Sequence, residues 1–164
     1  MLKKILFTFL TLLVIYSTSV VAYRIFEPRD NQYITDTSSY LAYDSLKSYV
    51  ESSSQNIHFF MFYSAINNDS IYLKNTVFTN VEQDIGESLS NFIEIVDITD
   101  LDEKMETKRL SEDWQVSSYP ALIAVTSNED GSIQVTSKLE WTSKKSITAK
   151  DVENWLKENG LYTK

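Results

Sequence analysis

The chain of 164 residues contains no cysteine, one histidine, three glycines and two prolines. Without cysteine it can form no intramolecular disulfide, thiol nucleophile, lipid-modified N-terminal cysteine or thiolate zinc site. The single histidine, His58, provides no basis for a histidine metal cluster and disfavours a Ser-His-Asp hydrolase. The scarcity of glycine argues against loops that hold nucleotide phosphates. No metal, organic cofactor or catalytic residue is therefore predicted.

The composition is that of a folded, acidic protein. Hydrophobic residues make up 43% of the chain and aromatic residues 13%, which is enough for a packed core. The net charge of −8 disfavours binding to nucleic acid or to anionic lipid. The length favours one domain.

The N-terminus has the pattern of an export signal. Lys3 and Lys4 precede an apolar run from Ile5 to about Ala22. The small residues that end the run would suit cleavage, but its length of about 18 residues is near the minimum for a membrane span. We predict a signal peptide or signal anchor over residues 1–22 and favour the uncleaved anchor. The positive-inside rule then places the remainder outside the cytoplasm, on a single-pass membrane protein; the alternative is secretion after cleavage.

Residues 23–37 are predicted to be a tether and residues 38–164 a folded domain. The first helix is predicted over Ser38–Ser52, with Ser38 or Ser39 as its cap. Ile57–Tyr63 is apolar throughout, which predicts a strand buried on both faces. After a polar loop, apolar residues recur every fourth position and predict a long helix that ends near Gly86: Leu73, Val77, Val81, Ile85 and Leu89.

The second half of the domain continues the alternation and adds a hairpin. A strand is predicted over Phe92–Ile98 and a helix from Asp100, as its cap, to about Asp113. Two strands, Ala121–Thr126 and Ile133–Trp141, flank a turn at residues 128–131. Thr148 and Asp151 predict a capping box for a last helix that stops at Gly160. The predicted order is α-β-α-β-α-β-β-α, an α/β fold.

This order, with a proline just before the hairpin, resembles the thioredoxin fold. Phe60–Tyr63, with the loop and long helix that follow, is similar to the central strand and active-site region of that family. Phe92–Ile98 is similar to the next strand, and Val116–Ile123 resembles the family's segment with a cis-proline. The resemblance implies a central mixed sheet flanked by helices, preceded here by an N-terminal hydrophobic helix. It also implies a cis bond between Tyr119 and Pro120, facing a loop where an extended peptide can pair with the backbone.

The redox motif of the family is missing. Its Trp-Cys-x-x-Cys positions fall on residues 66–70, so that Asn67 and Ser70 replace the two thiols and Met61 replaces a buried acid. Neither an amide nor a hydroxyl can take part in thiol–disulfide exchange. We expect Ser70 or Asp69 to cap the long helix. The candidate binding site is the altered loop and the proline segment: Ile66, Asn67, Asn68, Asp69, Ser70, Tyr119 and Pro120.

The favoured hypothesis is a redox-inactive, extracytoplasmic binding or accessory module for another exported protein or peptide. Its resemblance extends to membrane-tethered accessory proteins of Gram-positive bacteria, such as bacteriocin-transport accessory proteins, although those usually keep Cys-x-x-Cys. One alternative is a structural subunit of an envelope or secretion complex that uses outer helix faces. Another is an enzyme of unidentified non-thiol chemistry. An acidic cluster at residues 97–103 lacks EF-hand spacing and is interpreted as helix cap and solvated loop. His58 is interpreted as a packed side chain.

Overall fold

A five-stranded mixed sheet organises the domain, with strand β2 (Ile57–Tyr63) at its centre. The computed structural model describes residues 39–53, 55, 57–128 and 132–163. The sheet order is β1-β3-β2-β4-β5; β1, β3 and β2 run parallel, and β4 and β5 are antiparallel to their inner neighbours. The strands are β1 (Leu41–Ala42), β2 (Ile57–Tyr63), β3 (Glu94–Asp97), β4 (Ala121–Ser127) and β5 (Ile133–Glu140).

Two of the helix ends have the capping residues that the sequence predicts. Helix α2 ends at Gly86, whose φ of 77° is the left-handed conformation that glycine adopts most easily. Thr148 and Asp151 form the predicted capping box at the start of α5. The helices are α1 (Leu46–Ser52), α2 (residues 68–85, with a π-helical segment at Leu73–Phe78), α3 (Thr99–Glu103), α4 (Lys108–Trp114) and α5 (Ala149–Glu158).

Strand β2 divides the core into two layers. Met61 and Tyr63 face the layer built on α2 and α5, where Trp155 is buried. Phe60 and Phe62 face the opposite layer, built on α1, α3 and α4. Both faces of β2 are covered, which explains its continuous run of apolar residues and confirms the predicted double burial.

The predicted first helix is wrong in its first half. Leu41 and Ala42 form a short edge strand that pairs in parallel with Val96 and Asp97 of β3. A 3₁₀ turn over Tyr43–Ser45 follows, and its N-cap residue makes no side-chain cap. Pairing to the sheet overrides the helical spacing of the side chains at this point, so Ser39 caps no helix; Ser38 lies outside the described residues.

The predicted helix from Asp100 to Asp113 is two helices. Asp100 lies inside the first turn of α3 and is not its cap. Met105 takes a left-handed φ of 57°, and the Glu106 N–H donates to the Leu101 carbonyl at 2.8 Å, which is a Schellman termination. This position usually carries glycine, so a methionine there left no signal in the sequence. The observed order, β-α-β-α-β-α-α-β-β-α, corrects the predicted one at these two places.

The strand order, the parallel and antiparallel pairings and the helices on both faces are those of a thioredoxin-like α/β fold, as predicted. The predicted N-terminal hydrophobic helix, the signal or anchor at residues 1–22 and the tether at 23–37 lie outside the described residues, as does most of the turn at 128–131. Within the described part of the chain, no helix has the length and apolarity needed to cross a bilayer.

Candidate functional site

The segment before β4 contains the predicted cis peptide bond between Tyr119 and Pro120. The Pro120 carbonyl accepts a hydrogen bond from the Trp141 N–H at 2.9 Å, so this segment is tied to the end of β5. Among the described residues, no group accepts a hydrogen bond from the Tyr119 backbone N–H, and none donates one to its C=O. The residue before the proline therefore keeps backbone capacity that the sheet does not use.

The Tyr119 side chain is held by a carboxylate that also holds the loop after β2. The Tyr119 hydroxyl donates to Asp102 Oδ1 at 2.6 Å, and the Ser64 hydroxyl donates to Asp102 Oδ2 at 2.6 Å. We call these three residues the Asp102 latch. Burial and the hydrogen bond to Asp102 raise the pKa of Tyr119 to about 12. The latch connects the proline segment to the start of the altered redox loop through α3.

A second set of hydrogen bonds supports the same loop from β3. Asp97 Oδ1 accepts from both the N–H and the hydroxyl of Thr99, at 2.9 and 2.5 Å. The Thr99 hydroxyl oxygen in turn accepts from the Ala65 N–H at 2.9 Å. Ser64 and Ala65 are therefore each fixed by a polar side chain of the segment that follows β3.

The altered loop ends at a helix cap different from the predicted one. Asn67 is the N-cap of α2, and its side-chain oxygen accepts from the Ser70 N–H at 2.9 Å. The expectation that Ser70 or Asp69 would be the cap is wrong, because the helix begins at Asn68 and both residues lie within its first turn. The Asn67 amide, which the resemblance aligns with the attacking thiol, has a structural role, since it satisfies one of the free N–H groups at the helix start.

The predicted site residues differ in accessibility. Ile66 is 51% exposed, and Asn68 and Asp69 are exposed as well. Ser70 and Pro120 are buried, so neither presents its side chain to a partner. Asn67 and Tyr119 are half-buried, each occupied by the hydrogen bond described above. The accessible part of the predicted site is smaller than the sequence suggested and is centred on Ile66.

Two aromatic residues beside the proline were not predicted. Tyr72, on the first turns of α2, is 52% exposed and meets Trp141 edge-on, with ring centroids 6.1 Å apart. Trp141 also makes the backbone hydrogen bond to Pro120. We use the name apolar rim for this aromatic pair together with the exposed Ile66 of the loop before α2. A tyrosine two residues past the redox motif and a tryptophan at the end of the hairpin were the available signals.

The remaining polar candidates have structural partners. His58 is 2% exposed and stacks on Phe60, as a packed side chain would. In the acidic cluster, Asp102 accepts a hydrogen bond from Ser64 of the loop, Asp97 accepts two from Thr99, and Asp100 pairs with Lys104 at 3.6 Å. No group of three histidine or acidic side chains able to hold a metal occurs among the residues that the structure describes.

Comparison with known proteins finds similarity among solved structures only. No protein-family model matches the chain, and no curated protein matches it. A thioredoxin from Thermus thermophilus is 16% identical with a TM-score of 0.47, over 75% of this chain and 88% of that one. A Plasmodium falciparum thioredoxin is 14% identical with a TM-score of 0.44, over 71% of this chain and 80% of that one. Mitochondrial thioredoxin 3 of Saccharomyces cerevisiae is 12% identical with a TM-score of 0.44, over 76% of this chain and 99% of that one.

The fold assignment rests on the strand order and pairing described above. The domain is a thioredoxin-like fold in a chain that has no cysteine. Thiol–disulfide exchange requires a thiolate, which this chain cannot supply.

Proposed function

We propose that this chain is a redox-inactive thioredoxin-like module that works outside the cytoplasm and binds an exported protein or peptide. The Lys3-Lys4 pair and the apolar run after it support export, with membrane anchoring favoured over cleavage. The resemblance to membrane-tethered accessory proteins of Gram-positive bacteria supports the same setting. The observation that carries the binding role is the unused backbone of Tyr119 beside the apolar rim.

The backbone of Tyr119 suits an extended partner. Its N–H and C=O are both without a hydrogen-bond partner in the described part of the chain. An extended peptide gains main-chain hydrogen bonds when it pairs with such groups, and neighbouring side-chain surfaces give the pairing its specificity. The Asp102 latch holds this backbone in place, which reduces the entropy that a partner must remove on binding.

The apolar rim favours a partner with apolar or aromatic side chains. Ile66 and Tyr72 are each about half exposed, at 51% and 52%, in a domain whose other large apolar residues are mostly buried. Tyrosine and tryptophan are enriched where proteins bind peptides, because they bury much area with few rotatable bonds. An exposed acidic side chain, Asp69, lies at the start of α2, and its charge disfavours acidic partners.

An enzyme of non-thiol chemistry receives no support from the candidate site. The Ser64 hydroxyl donates to a carboxylate and is fully buried, and the chain's single histidine is packed against Phe60. Ser64 and Asp102 are within hydrogen-bond distance of each other, but Ser64 is 0% exposed, so a substrate could not reach its hydroxyl in this arrangement.

A second candidate is docking through the exposed corner between α3 and α4. Met105, at the corner between α3 and α4, is 91% exposed, the largest exposure of any large apolar side chain that the structure describes. This corner is separate from the apolar rim and serves as the alternative in the test below.

The test is photo-crosslinking in cells from single positions. Tyr119 is a poor position for the crosslinker, because replacing it breaks the Asp102 latch. Tyr72 and Ile66 are exposed, and Met105 is the matched control. We expect one exported protein to be captured from positions 66 and 72 but not from 105, and its capture from position 72 to be lost in the Ile66→Asp variant. Capture of that protein only from position 105 would support docking through this corner, and capture from none of the three would contradict both proposals.

A further inference from the structure

A cavity of about 570 Å³ lies between α2 and the outer edge of the sheet, near the start of β3. Its volume is within the usual range of small-molecule sites. Buried side chains line its apolar part, among them Phe78, Leu89 and Ile93. The cavity shares no residue with the apolar rim or the Asp102 latch, so it is distinct from the proposed partner-binding site.

Lys74 supplies a positive charge to this cavity. Every other lysine that the structure describes is exposed, whereas Lys74 is half-buried. Its ammonium donates to the Tyr40 hydroxyl and lies 4.9 Å from the centroid of the Tyr40 ring and 5.5 Å from that of Tyr63. It forms no ion pair with any described carboxylate. Aromatic rings stabilise the cation without neutralising it, so an anionic ligand group would complete its surroundings.

Two acidic residues also contribute to the cavity wall. Glu82 Oε1 accepts from the Leu89 N–H at 2.7 Å, whereas the Glu94 carboxylate is directed to the other face of the sheet, where Oε1 accepts from the Tyr49 hydroxyl at 2.5 Å. The charge of Glu82 disfavours a dianion such as a phosphate monoester, for which the single ammonium would not compensate. A ligand with one negative charge and an apolar body fits better.

We propose that this cavity binds a small organic acid, with its monocarboxylate on the Lys74 ammonium and its apolar body against Phe78 and Ile93. The π-helical segment Leu73–Phe78 carries both Lys74 and Phe78, and such segments occur frequently at functional sites. This inference goes beyond the proposed function, because it needs neither the apolar rim nor a partner protein.

The experiment compares three probes that share one apolar body: 4-phenylbutyrate, 4-phenylbutan-1-ol and 4-phenylbutylamine. Their binding to the full-length chain is measured by titration, with the backbone amide resonances of Asn75, Thr79 and Ser90 reporting on the cavity. We expect the acid to bind most tightly. We expect Lys74→Met to lower the affinity for the acid by about tenfold or more, as for the loss of a charge-assisted hydrogen bond. The affinity for the alcohol should stay the same.

Lys74→Arg keeps the charge and should retain most of the preference for the acid, and Lys157→Met is the matched control at an exposed lysine. Circular dichroism of each variant confirms that it is folded; if Lys74→Met is not, the probe series on the wild-type chain decides. Equal binding of acid and alcohol, tighter binding of the amine, or absence of binding at the cavity resonances would each overturn the proposal.

Discussion

Strand β2 has a buried polar side chain near each end. Ser64, directly after its carboxyl end, donates to Asp102 at 2.6 Å, and Asp102 also receives the Tyr119 hydroxyl. His58, near its amino end, is 2% exposed, and neither ring nitrogen has a hydrogen-bond partner among the described residues. Its surroundings are Phe60 and Tyr49, with a Glu94 oxygen 3.9 Å from Nδ1.

The difference shows that the two ends are held by different forces. At the carboxyl end, hydrogen bonds between separate elements set the position of the proline segment, because each bond has a narrow geometry. At the amino end, packing of rings holds the side chain, and an apolar residue of similar size could take its place. The end with directional bonds is also the end where the binding site is proposed.

The largest effect is expected when the acceptor of the latch is removed. Asp102→Ala leaves the Ser64 and Tyr119 hydroxyls without their partner, one of them fully buried. We expect the free energy of unfolding to fall by about 2–4 kcal/mol. Urea denaturation measures this, with Asp100→Ala as the control, since the Asp100 side chain is 80% exposed. Equal losses in the two variants would show that the latch contributes nothing.

A smaller effect is expected when only one hydroxyl of the latch is removed. Tyr119→Phe keeps the ring and deletes the bond to Asp102, and we expect a loss of about 1 kcal/mol. Tyr72→Phe is the control, because its exposed hydroxyl makes no hydrogen bond among the described residues. The same denaturation measurement should separate the two variants, and a Tyr119→Phe variant as stable as Tyr72→Phe would contradict the role assigned to the bond.

At the other end of β2, loss of a buried polar group should matter little. His58→Leu removes two ring nitrogens that have no hydrogen-bond partner, so at pH 8 we expect the free energy of unfolding to change by less than about 1 kcal/mol. A loss as large as that of Asp102→Ala would mean that both ends are held by polar interactions. The measurement is again urea denaturation.

A change in the pH dependence of stability is expected in the alkaline range. The pKa of Tyr119 is raised from 10.0 to about 12 by burial and by Asp102. Between these values the unfolded tyrosine has lost its proton while the folded one retains it, so stability falls as the pH rises through this window. Tyr49, whose pKa its bond to Glu94 and burial raise to about 12, contributes in the same sense. We expect the decline in the free energy of unfolding above pH 10 to be less steep in Tyr119→Phe than in the wild type; identical slopes would contradict the shift.

Most of the fold could be predicted from local pattern. The apolar run of β2, the four-residue spacing of α2, Gly86 and the Thr148–Asp151 box each correspond to a feature that the structure has at the same place. The two errors arose where no local signal existed. Leu41 and Ala42 become a strand only because Val96 and Asp97 lie beside them, and Met105 ends a helix in a conformation that usually belongs to glycine.

The candidate site was predicted less completely, because it depends on contacts between distant segments. The alignment of Asn67 with the family's attacking thiol can be predicted from the sequence, but its role as the N-cap of α2 cannot. Asp102 was grouped with a solvated acidic loop, since nothing in its neighbours indicates that it meets Ser64 and Tyr119. Tyr72 and Trp141 are far apart in sequence and form one surface only in three dimensions.

The sequence by itself determined the absence of thiol chemistry, since no arrangement of the chain can supply a cysteine, and it determined the alternation of strands and helices through residue spacing. Only the tertiary structure decided which side chains hold the proline segment, which of the predicted site residues remain accessible, and that Lys74 lines a cavity without an acidic partner. These properties are set by distances between residues far apart in the chain, and short-range pattern carries no information about such distances.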